Sequence, residues 1–164
     1  MSRNRSTVAL HTLLWLMLGI WIGGFVLFPF VAITAFRALP STDAGLVVGP
    51  VLAALHLYGG GAGIAVAALS RSLGRNRIMW GLPLFLSALC LYSHFGVTSS
   101  IDEIHQDVFG PAGNETAANR FNELHRISML IFYCVLGGAA LLVGLNAYAT
   151  APSAAAPAGT QDSE

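Results

Sequence analysis

Four histidines, His11, His56, His94 and His125, carry the chemistry open to this chain. Each lies in, or at the end of, a different long apolar run. Imidazole is costly to hold in hydrocarbon, so one ring per run points to a shared role. Neutral imidazole ligates haem iron, copper or zinc, and two rings facing each other across a helical bundle can hold haem iron axially. A fifth histidine, His105, lies near Glu103 and Glu123 in the most polar internal stretch and can join His94 and His125 around a metal ion. The structural alternative is that each ring bonds a neighbouring helix carbonyl or sits in interfacial water. No carboxylate, Lys or Arg lies deep in any apolar run, so a carrier built on a buried acid has nothing to use.

The elements that must position these rings are membrane spans. The chain has 164 residues, 55% of them hydrophobic and 10% charged, too few polar groups to cover a water-soluble globule. The first run is free of charge from Val8 to Phe36, more than the roughly 20 residues that cross a hydrocarbon core about 30 Å thick. It is too long for the h-region of a cleaved signal peptide, about 7 to 15 residues, so retention is favoured over cleavage near Ala35-Phe-Arg-Ala38. Three further spans are expected, from about Ala44 to Leu69, Ile78 to Val97 and His125 to Tyr148. The expected class is therefore an all-α integral membrane protein: an antiparallel four-helix transmembrane bundle with a short amphipathic surface helix between spans three and four. Its parts are an arm (1–7), the membrane domain (8–149) and a disordered Ala- and Pro-rich tail (150–164).

Within the spans, small residues mark where helices approach. Gly19 with Gly23-Gly24 has small-xxx-small spacing, and Pro29 is expected to kink the first span. In the second span His56, Gly59, Gly60 and Gly63 recur at three- and four-residue steps, which turns His56 towards another helix. In the third, Ser87, Cys90, His94 and Thr98 share one face, which should look inward. Mirroring neighbouring spans about their connections brings His94 and His125 to one depth, with His56 near mid-membrane and His11 at the opposite surface. Ile101, Ile104, Val108 and Phe109 repeat at helical spacing and predict the surface helix, broken at Gly110–Asn114. Cys90 and Cys134 both fall in apolar runs, form no C-x-x-C pair and read as packing residues.

All eight basic residues are Arg, balanced by eight acids, and no basic surface points to nucleic acid. Arg3, Arg5, Arg71, Arg75 and Arg77 lie on one side of the four spans and Arg37, Arg120 and Arg126 on the other. The positive-inside rule then puts both termini in the cytoplasm, with the chain in the inner (cytoplasmic) membrane. The expected partners are the lipid bilayer and a second copy or another membrane protein.

Particular residues also carry a family likeness. His11 followed by Trp21-Ile-Gly-Gly24 and Phe28-Pro-Phe30, with Phe36 and Leu39 before Ala44-Gly45, resembles the transmembrane protein 205-like family, catalogued as domain of unknown function 4149. Arg120-Phe-Asn-Glu-Leu-His125-Arg-Ile-Ser128 is similar to that family's closing helix. The resemblance implies a four-helix integral membrane protein. The first span is also similar to those of the copper resistance protein D and membrane protoporphyrinogen oxidase families. In both, a His precedes a Trp-x-Gly-Gly-like patch, and in the oxidase family that His, matched by His11, is associated with haem. The oxidase family's functional Lys has no counterpart in this Lys-free chain, and the methionine-rich surroundings of the copper family are absent.

Two classes of function remain open. One is a haem b or copper protein with a redox or metal-handling role; the other is a non-catalytic module that packs against other transmembrane helices through Gly-rich faces.

Overall fold

The computed structural model describes residues 2–109 and 114–150. Five α-helices account for most of them: α1 (Ser2–Ala38), α2 (Ser41–Ser72), α3 (Arg77–Tyr92), α4 (Ser99–Phe109) and α5 (Glu115–Thr150). A π-helical segment, Ser93–Thr98, joins α3 to α4 without a break. The basic arm is the first turns of α1, which also runs through Pro29 uninterrupted. The expected tail from residue 151 and the break at 110–113 lie outside the described residues.

Four helical stretches are long and apolar enough to cross a membrane: Arg5–Ala38, Thr42–Ser72, Arg77–Ile104 and Glu115–Thr150. Only 22% to 39% of the residues in their most apolar windows are buried, so most of that apolar surface faces outward, as a lipid-embedded bundle requires. The long helices close a ring in which α1 and α3 each pack against both α2 and α5. Leu14, Leu18, Trp21, Phe25, Val66, Leu86, Phe132, Val135 and Leu142 fill its interior. Phe25 and Phe132 stack at 5.4 Å, and Phe28 meets Phe132 at 5.5 Å, tying α1 to α5.

The closest approach is between α2 and α3. A Cβ on Gly63 would stand 2.7 Å from the carbonyl oxygen of Pro83, and one on Gly60 would stand 2.6 Å from a Leu91 methyl. Rising numbers on α2 thus meet falling numbers on α3, so the two are antiparallel. Ser87 donates its hydroxyl to the Gly60 carbonyl at 2.6 Å, an interhelical bond in the gap that the missing side chain leaves. Gly24, one of the expected approach points on α1, meets Leu55. Gly19 and Gly23 meet nothing within 4 Å, because their face is turned away from the bundle.

The α2–α3 turn is built by sequence. Gly74 adopts φ +67°, a left-handed conformation that a Cβ would strain, and the amides of Gly74 and Arg75 cap the carbonyls of Arg71 and Ser70. Asn76 then starts α3 by accepting the amide of Met79 at 3.1 Å. At the other end Asn114 opens α5 in the same way, its side chain accepting from Thr116 at 2.9 Å. α5 therefore begins ten residues before the span start expected at His125.

Candidate functional site

His56 stands at the middle of α2 and is completely buried. The glycine spacing turns it inward, as expected: Gly59, one turn on, packs on Phe25 and on the Cys90 sulfur. The His56 ring faces Phe25 at 6.3 Å, and neither ring nitrogen has a hydrogen-bond partner among the described residues. A neutral imidazole carries one donor and one acceptor, and each left unmatched costs about 1–3 kcal/mol.

The neighbour that chain folding brings to it is His94. The Nδ1 of His94 lies 3.0 Å from the carbonyl oxygen of Ala53, one turn from His56 on the same helix. Because a carbonyl only accepts, Nδ1 carries the proton, and Nε2 keeps its lone pair. Ser93, also fully buried with an unpartnered hydroxyl, belongs to the same level of the bundle. Both residues sit at the start of the π-helical segment, where the Thr98 hydroxyl donates to the Ser93 carbonyl at 3.0 Å. Such a local widening changes which residues a helix points at its neighbours, and it is often found at functional sites. The expected inward face of α3 is real: Ser87 and Cys90 are buried, and His94 and Thr98 half-buried.

The other histidines lie elsewhere. His125 is exposed and stacks on Phe121 of its own helix, ring centroids 6.1 Å apart, while the Nδ1 of His94 turns to the Ala53 carbonyl of α2. The mirrored depths assumed regular helices on both sides of the connection, whereas the π-helical segment re-aims His94. Glu103 and Glu123 are exposed, and the side chain of His105 lies outside the described residues. Among the described residues no three His, Cys, Asp or Glu side chains converge as a metal-binding group. His11 is half-buried at the far end of the bundle, in an open cavity of about 550 Å³ with Trp15, Leu73, Arg75, Ala149 and Thr150. Cys90 is a buried free thiol and Cys134 an exposed one on α5.

Fold and surface together define a multi-pass integral membrane protein built as a four-helix bundle. Residues 16–108, more than half of the chain, match the family described as Domain of unknown function (DUF4149), and the chain belongs to that family. The match takes in α2, α3 and the π-helical segment, and with them His56 and His94. No curated protein and no solved structure matches the chain.

Proposed function

We propose that this bundle handles a transition-metal ion, copper before others, at the buried pair His56–His94, in a redox or metal-handling role. The observation that carries the reading is the orphaned imidazole of His56. One ring nitrogen of His56 and Nε2 of His94 would hold the ion through their lone pairs. The Ala53 carbonyl fixes the His94 tautomer, as outer partners of ligating histidines do. Two imidazoles with no converging third ligand among the described residues suit a low-coordinate copper ion better than tetrahedral zinc. Haem b fits less well. The helices are pinned together on both sides of His56, by Gly59 and Gly60 against α3 and by the Ala53–His94 bond, which leaves no slot for a porphyrin. The likeness of the first span to a copper-resistance family supports the same class, although the histidine it highlights is His11.

Titration of the purified protein with copper under reducing conditions tests the reading. Binding at about one ion per chain supports it; a protein that takes up no copper refutes it.

A second reading has its own support. Gly19 and Gly23 present an open small-xxx-small face on α1, which a helix of a second copy or another membrane protein can cover. If that face makes a homo-oligomer, Gly19→Leu and Gly23→Leu lower the oligomer's mass in detergent; unchanged mass dismisses it.

A further inference from the structure

Buried polar atoms without partners fall into two groups. Trp21 Nε1, both His56 nitrogens and Ser93 Oγ belong to the middle of the bundle; Ser70 Oγ, Arg75 Nε and Asn146 Oδ1 belong to the end where α2 and α5 finish. Hydrogen bonds link the second group to its surroundings. The Arg75 amide donates to the Ser70 carbonyl at 3.0 Å, and Arg75 Nη1 donates to the Ala149 carbonyl at 3.2 Å, one turn beyond Asn146. Of these, Arg75 and Ala149 line the open cavity of about 550 Å³ whose other walls are His11 and Trp15 of α1, Leu73, and Thr150 of α5.

We infer that this cavity binds a phosphate group, carried by a phospholipid headgroup or as the free ion. One Arg75 donor is spent on Ala149, which fixes the plane of the guanidinium and leaves buried Nε seeking an acceptor. A planar guanidinium matches phosphate oxygens in geometry as well as charge. His11 approaches from the facing helix.

Electrostatics favour an anion here. Asp43, Asp102, Glu103, Glu115 and Glu123, all the acids whose side chains are described, belong to the opposite end of the bundle. Arg5 and Arg77 add exposed positive charge at this end, while Arg71 is held over the Trp80 ring, 5.6 Å from its centroid. Several helix-end carbonyls that would repel an anion already accept hydrogen bonds: Leu69, Ser70 and Arg71 from turn amides, Ala149 from Arg75, and Asn146 and Ala147 from the Thr150 hydroxyl. Trp15, exposed at the cavity rim, has the amphipathic ring that settles at headgroup depth.

The test is native mass spectrometry of the full chain released from detergent carrying phosphatidylglycerol, diacylglycerol or inorganic phosphate. Retention of phosphatidylglycerol over diacylglycerol, reduced about fivefold by Arg75→Gln and by His11→Ala, is the expected result. Competition by inorganic phosphate identifies a site that also takes the free ion; its failure to compete identifies a lipid site. His11→Ala breaks no bond of Arg75, so it decides the matter if Arg75→Gln does not fold. Equal retention of diacylglycerol, undiminished retention by a folded variant, or binding of neither lipid nor phosphate would overturn the inference.

Discussion

At the residue scale, one spacing in α2 does two jobs. His56, Gly59, Gly60 and Gly63 recur so that a bare backbone face meets α3 while an imidazole is drawn into the same seam. That much was legible in the sequence, because three- and four-residue steps on a helix define a face whatever lies opposite. Its partner was not legible: His94 lies on Ala53 through a π-helical segment that no residue pattern announces. The glycines differ in what a methyl group would meet, which sets an order. Gly63→Ala drives a Cβ onto the Pro83 carbonyl, where rigid backbone must move, and should cost about 1–3 kcal/mol. Gly60→Ala meets the flexible end of Leu91 and should cost less. Gly61→Ala, with nothing within 4 Å, should be neutral or stabilise the helix by about 0.5–1 kcal/mol. Thermal or denaturant unfolding in detergent reads the series, and a Gly61→Ala loss as large as that of Gly63→Ala would mean the α2–α3 seam is wrongly drawn.

At the element scale, hydropathy fixes that four spans exist but not where they end. The helix through α3 continues past the expected end at Val97, and α5 starts at Glu115, because polar helical turns outside the apolar core cost nothing in hydropathy and gain capping at Asn114. The amphipathic pattern around Ile101 and Ile104 was read correctly as helix. Its direct continuation from the third span was hidden by the polar residues at the junction. Gly19 and Gly23 show the limit of small-residue spacing: it marks a face fit for close approach without naming the helix, and within this chain none approaches. Between α2 and α3 the Ser87 hydroxyl is the one polar tie to a glycine carbonyl. Ser87→Ala should cost about 0.6 kcal/mol and no more than about 1.7, the range for such bonds between membrane helices. A loss of several kcal/mol would show that the serine supports more than this bond.

At the scale of the whole molecule, the acids are segregated from the α2–α3 turn, and Arg37, Arg120 and Arg126 share their end. The described acids lie at one end, and Arg71, Arg75 and Arg77 with the start of α1 lie at the other. With the basic end in the cytoplasm, a reporter fused after Thr150 should read as cytoplasmic and one inserted near Gly113 as external. The reverse pattern would invert the bundle and move the Arg75 cavity to the outer leaflet. The central claim concerns the middle of the molecule, where fully buried His56 has no hydrogen-bond partner among the described residues and His94 lies one turn away on Ala53. It is tested most directly by copper content measured on purified wild-type, His56→Ala, His94→Ala, His125→Ala and His11→Ala proteins, with folding checked by circular dichroism. Copper bound by wild type, His125→Ala and His11→Ala, but lost from folded His56→Ala and His94→Ala, is the predicted result. Copper retained by His56→Ala, or lost only with His11→Ala, would contradict it.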